Sequence, residues 1–161
     1  MWRVCPPVLA LTIAVVACGK AGAPVPITMP VASPTALETF SGTLAVMGSN
    51  LHNFQVSQNG QIFVTLTTVT TVPVAADPTQ TPPVMAVPAV PVGDPVTVRI
   101  GQPTVTTVGV TCSSLKSVVT SAGAAPQLTG QALAGTFCVA ISDPGGTLPQ
   151  PVAYVITVAH T

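Results

Sequence analysis

The four acidic residues and two histidines of this 161-residue chain are Glu38, Asp77, Asp94, Asp143, His52 and His160. They are the only groups from which acid–base catalysis at neutral pH would draw. A hydrolytic triad needs an imidazole beside a nucleophile, with a carboxylate orienting it, and no Gly-x-Ser-x-Gly elbow accompanies these residues. His52 alternates with Phe54 in a strand-like run and reads as a half-buried packing residue. His160 reads as solvated. The acidic residues offer no carboxylate pair of the glycosidase kind. Two histidines far apart, without clustered ligands, do not make a zinc set. Asp143 with the carbonyls of Pro144-Gly145-Gly146 could hold calcium weakly, but Asp-Pro-Gly is first a turn sequence. No catalytic residue, metal or cofactor is therefore expected.

The cysteines carry more information, and their reading depends on the N-terminus. Residues 1–17 have the order of a signal peptide: one positive charge at Arg3, an apolar run from Val8 to Ala17, then a small residue. The run falls well short of the roughly twenty residues that span a bilayer, and Cys5-Pro6-Pro7 would break a buried helix near its start. Export is the expectation, with Cys5 leaving in the leader. Cys112 and Cys138 then sit in an oxidising compartment, where two remaining thiols pair. The bridge would close a loop of about 26 residues and stabilise by roughly 3 kcal/mol. A redox pair would want Cys-x-x-Cys spacing, which is absent.

Val15-Val16-Ala17-Cys18-Gly19 resembles a bacterial lipobox. The resemblance implies that Cys18 is lipidated and that the protein's first partner is a membrane, held through acyl chains contributing about 0.8 kcal/mol per buried methylene. Gly19, rather than Asp, after the cysteine implies sorting to an outer membrane. The rival cut follows Ala21-Gly22-Ala23, with Pro24 directly after it, a disfavoured arrangement. Residues 18–35 hold Gly and repeated Pro and read as a tether.

Hydrophobic residues make up 48% of the chain and charged ones 5%, a balance opposite to that of charged disordered segments. The cations are Arg3, Lys20, Arg99 and Lys116. They form no basic face, which excludes nucleic acid as a partner. Threonine, valine, proline and glycine disfavour helix and suit strands and turns.

Residues 36–161 are accordingly expected to form one all-β domain. Strand patterns run through Thr39–Leu44, Asn50–Val56 and Ile62–Val69, with Asn59-Gly60 predicting a hairpin between the second and third. Seven prolines, at 73, 78, 82, 83, 88, 91 and 95, mark 72–95 as a loop or polyproline-like insertion, with Val84–Val87 a candidate edge strand. Pattern resumes over Val96–Ile100 and Val105–Cys112. Ser113–Pro126 reads as connecting, and Gln127–Leu133, Gly135–Ile141 and Ala153–Val158 as strands. Phe40, Phe54, Phe63, Phe137 and Tyr154 are expected in the core. About eight short strands favour an antiparallel β-sandwich or jelly roll.

Phe40-Ser41-Gly42-Thr43-Leu44, His52-Asn53-Phe54-Gln55-Val56 with Gly60 and Val64-Thr65-Leu66, then Ala134-Gly135-Thr136-Phe137-Cys138-Val139 and Tyr154-Val155-Ile156-Thr157-Val158 follow one another in an order that resembles the bacterial pre-peptidase C-terminal domain. That family is a small sandwich of exported proteins. The proline-rich insertion is extra here, and Thr70-Thr71-Val72 stands where that family commonly has acidic residues. The metal or carbohydrate binding of relatives is put in question by that difference. The combined expectation is a non-enzymatic, lipid-anchored envelope protein whose sandwich binds an envelope protein or polysaccharide. Its alternatives are an accessory or chaperone-like secretion component using segment 72–95, or a soluble secreted binding domain.

Overall fold

The computed structural model describes residues 33–161 apart from 78 and 108. The leader, Cys18 and residues 19–32 of the tether lie outside the described residues. At the tether's end, Thr35 already donates its N–H to the carbonyl of His160 at 2.9 Å.

Eight strands follow: β1 Ala36–Leu44, β2 Ser49–Val56, β3 Gly60–Thr71, β4 Val96–Thr106, β5 Gly109–Thr120, β6 Leu128–Ala132, β7 Gly135–Ser142 and β8 Val152–His160. They form two four-stranded antiparallel sheets, ordered β1-β8-β3-β6 and β2-β7-β4-β5. This is an eight-stranded sandwich with jelly-roll strand order. Only β4 and β5 are joined within one sheet; each other connection carries the chain from one sheet to the other.

The alternation of side chains explains the layering. In β8, Val152, Tyr154, Ile156, Val158 and His160 are all buried while the intervening residues are half-exposed, the period of two expected of a strand with one face in the core. β3 contributes Ile62, Val64, Leu66 and Val69 to the same core. The spacing of three between Leu66 and Val69 would turn Val69 outward in a regular strand. A bulge between Leu66 and Thr68 absorbs the extra residue, and the Thr67 hydroxyl donates to the carbonyl of Val155 at 3.0 Å. Val96, Val98 and Ile100 of β4, Phe137, Val139 and Ile141 of β7, and Phe54 and Val56 of β2 meet them from the opposite sheet. Of the expected core aromatics, Phe63 alone is out of place: it falls in the odd phase of β3 and is half-buried away from the core cluster.

Three expectations are corrected. Asn59-Gly60 does not make a hairpin, because β2 pairs with β7 while β3 pairs with β6 and β8. Neither Asn59 nor Gly60 adopts the positive φ that a two-residue hairpin turn requires. Instead the chain arches between the sheets beside a second arch at Leu133-Ala134, and Asn59 Oδ1 accepts the Ala134 N–H at 2.8 Å. Second, Ser113–Thr120 is strand rather than connection, completing β5 opposite β4. Being an edge strand largely exposed on both faces, it carries no apolar alternation.

Third, 72–95 is an ordered arm rather than an irregular loop. Its two legs pair with each other at Val74↔Val87 and Asp77↔Val84, above a bridge between Thr70 and Pro91. The bonding N–H groups belong to Val74, Asp77, Val84 and Val87, so the described prolines of the arm stand where no donor is needed. Val84 and Val87 thus pair within the arm and add no edge strand to either sheet.

Ile156 is fully buried and Val119 is 67% exposed. Ile156→Ala is expected to lower unfolding free energy in urea by about 2–5 kcal/mol, and Val119→Ala to change it by less than about 0.5 kcal/mol.

Candidate functional site

The candidate acids and bases are dispersed, and His52, His160, Glu38, Asp77 and Asp143 are each committed to a local partner. His52 Nε2 lies 2.7 Å from the Tyr154 hydroxyl, and its ring stacks on Phe40 at 5.0 Å. Burial holds the imidazole below its usual pKa and the Tyr154 phenol above its own, the latter opposed by a hydrogen bond from the Asn50 side chain. The pair is therefore neutral at pH 7. The room for it comes from Gly42, directly across from Tyr154 in the β1–β8 ladder: a Cβ there would stand 2.8 Å from the phenol oxygen.

His160 is buried rather than solvated. The phase of β8 carries its ring inward with Val158 and Ile156, so strand register decides its burial and nearness to the chain end does not. Its Nε2 lies 2.9 Å from Glu38 Oε1, and its Nδ1 is 3.2 Å from the carbonyl of Thr161. Among the described residues neither imidazole meets a serine or cysteine nucleophile, and no group of three or more His, Cys, Asp or Glu is placed to hold a metal ion.

Asp143 opens the predicted turn and is 1% exposed. Its Oδ1 accepts the Thr147 N–H at 2.8 Å and the Thr147 hydroxyl at 3.0 Å. Its Oδ2 accepts the N–H groups of Met47 at 3.1 Å and Leu148 at 3.3 Å. Burial raises the carboxyl's pKa, but these four donors together outweigh it and hold it below the usual carboxylate range. The carboxylate thus ties the β1–β2 connection to the β7–β8 connection and sets Leu148 in the core. The donors already occupy both oxygens, so the turn is a latch and not an open cation site. Asp77 plays a similar local part at the arm, accepting from Thr79 and Gln80.

Cys112 and Cys138 form a disulfide with Cα atoms 5.9 Å apart. Their strands, β5 and β7, flank β4 on opposite sides, which in a flat sheet would separate them by roughly 9.5 Å. The difference is taken up at Gly101, the last β4 residue paired to β7. Here the β4–β5 ladder shifts register, leaving Leu115 unpaired, and a Cβ on Gly101 would come within 1.8 Å of the Ser113 carbonyl oxygen. The ribbon creases at this glycine. Its outer part is drawn over the outward face of the sheet and pinned there by the bridge.

That folding explains why β7 is buried on both sides. Phe137, Val139 and Ile141 face the core, yet Cys138, Ala140 and Ser142 between them are buried too. It also encloses a cleft of about 320 Å³ between a floor of Ser49, Leu51, Arg99 and Ala140 and a roof of Val110, Thr111 and Cys112. Arg99 is the one charged residue lining it. The guanidinium donates from Nη2 to Ser142 Oγ at 2.8 Å, while its Nε is buried with no hydrogen-bond partner and no carboxylate lies within 4 Å among the described residues. A buried donor left without an acceptor costs about 1–3 kcal/mol. Composition marks Arg99 only as an isolated cation. The available signal was its phase, odd among Val96, Val98 and Ile100, which places it on the outward face with Thr97.

A second, smaller cleft of about 200 Å³ opens between the β5 and β6 edges, where Ile62, Ile100 and Phe137 approach the surface and Lys116 Nζ donates to the Thr129 carbonyl at 2.8 Å.

Because the Asp143 carboxyl titrates below its unfolded value, its contribution to stability is fully present above about pH 4 and is lost as pH falls through the folded pKa. Acid unfolding of wild type is expected to steepen below that pH, and Asp143→Asn should flatten this part of the profile while lowering the thermal midpoint at pH 7. The double change Cys112→Ala and Cys138→Ala is expected to cost about 2–5 kcal/mol, read from denaturant unfolding beside wild type with and without reductant.

Compared with known families and curated proteins, the chain matches no family model and shows significant similarity to no curated protein.

Proposed function

We propose that this chain is a non-enzymatic binding or structural module, exported and held at a bacterial cell envelope by lipid on Cys18. The observation that carries the reading is the disulfide across the creased sheet, a device of oxidising compartments outside the cytoplasm, in a chain that opens with a signal-peptide pattern and a lipobox-like Val15–Gly19. The histidines and Asp143 support it from another side, since each is engaged in holding the sandwich together. The order of strand motifs that resembles the pre-peptidase C-terminal domain fits the same class of exported sandwich. Gly19 favours the outer membrane, and the partner is an envelope protein or a polysaccharide.

The arm gives a specific reason to keep the accessory or chaperone-like reading beside it. Val74, Met85 and Val87 are 47–77% exposed on a ribbon bridged to β3 only at its base, an arrangement suited to strand-wise pairing with another chain.

The intact mass of the mature protein from bacterial membranes tests the anchor. A mass equal to residues 18–161 plus acyl chains, lost in Cys18→Ser, is the expected result. An unlipidated mass beginning beyond Cys18 would replace the anchored reading with a soluble secreted binding domain.

A further inference from the structure

We infer that the roofed cleft over Arg99 is a binding site for the terminal carboxylate of a partner polypeptide that ends in an aliphatic residue. This deepens the binding-module reading and rests on it for the existence of a partner, but not on the lipid anchor.

The argument begins with what Arg99 lacks. A guanidinium offers five N–H donors in a fixed fork, and here one protein acceptor, Ser142 Oγ, is supplied for them. The Nε is buried without an acceptor, so the donors left to meet a ligand in the cleft are those of the terminal Nη groups. A strand position on the outward face could hold its cation in open solvent at little cost. Instead the Gly101 crease and the disulfide bring the β4–β5 ribbon over it, and none of the four acidic side chains of the chain, Glu38, Asp77, Asp94 and Asp143, is within 4 Å. The sandwich thus holds a pre-positioned positive charge in a cleft and leaves its counter-charge to be supplied from outside.

The chemistry of that counter-charge follows from the walls. One guanidinium matches one planar carboxylate in a two-pronged contact. A phosphate dianion would leave surplus negative charge against Leu51, Val110 and Ala140, with no second cation among the lining residues. The cleft holds no aromatic plate for a sugar ring to stack on, while Leu51, Val110 and Ala140 offer aliphatic side chains beside Arg99. They suit an aliphatic side chain beside the carboxylate. At about 320 Å³ the cleft stands near the lower end of the range for ligand sites, roughly 300–1,000 Å³, which suits the last residue or two of a chain. The Ser49 hydroxyl, on the floor of the cleft, can donate to the second carboxylate oxygen.

The test uses the full oxidised chain and follows the Arg99 Nε–H resonance by NMR. The probes are acetyl-Val-Val with a free carboxylate, the same dipeptide as its C-terminal amide, a trimer of galacturonic acid, and inorganic phosphate. The dipeptide acid should bind saturably and shift this resonance, and the amide should bind at least about 10-fold more weakly. Arg99→Met should lose the acid by a similar factor. Leu51→Glu, which leaves Arg99 in place and sets a competing carboxylate on the floor, should block binding with the fold's spectrum retained. Equal binding of acid and amide, or undiminished binding by Arg99→Met, would overturn the proposal. So would absence of any saturable shift. Preference for the uronate trimer would transfer the site to a polysaccharide, and preference for phosphate to an inorganic anion; both results reject a polypeptide terminus. None of these outcomes touches the Cys18 mass measurement, so failure here and failure of the anchor are separate results.

Discussion

Everything in this sandwich depends on strands that are neighbours in sequence being placed in opposite sheets. With β4–β5 as the one exception, the chain crosses the core at each connection, and each ladder therefore joins residues far apart along the chain, as when Ala36 meets His160. No small piece can bury its apolar face alone. Stability is consequently collective, and the groups that tie connections to one another become as important as the core side chains. Asp143 does this at the β1–β2 and β7–β8 connections, and Asn59 does it where the two arches run side by side.

The same constraint decides what could be read from the residues. Strand positions whose inner face is buried were legible, because alternation survives whatever the partner is: Val152 to Val158 and Gly135 to Ile141 are the clear cases. The pairing of Cys112 with Cys138 was legible too, since few thiols remained to choose from. Partners were not. Asn59-Gly60 is a strong local hairpin signal, yet long-range pairing to β7 on one side and β8 on the other outweighs a preference held by two residues. Ser113 to Thr120 was missed for the opposite reason: an exposed edge strand buries nothing, so its composition is that of a loop. His160 was misjudged from its closeness to the chain end when its phase in β8 was the better guide. Arg99 could be seen as a lone cation, but its enclosure depends on a crease at Gly101 that no local pattern announces.

The crease is also where structure and binding chemistry meet. A flat β4–β5 ribbon would have left the outward face of β7 open to water and Arg99 an ordinary surface cation. Glycine at position 101 permits the backbone of β5 to come close, the disulfide fixes the result, and a charge is caught between sheet and ribbon. The site therefore depends on a fold-level feature and on the redox state of its surroundings, while His52, His160 and Asp143 are occupied in holding the sandwich together.

The place of β8 has a consequence for how the molecule comes into being. It lies in the interior of its sheet, with β1 on one side and β3 on the other, yet it is the last of the eight strands in chain order. Until Val152–His160 has been made, β1 has no ladder at all and β3 is paired only along the short β6 and with the base of the arm. Pairing over such sequence separations is slow in any case. A growing sandwich of this topology stays open until β8 has been made, and it acquires its shape only after that strand arrives.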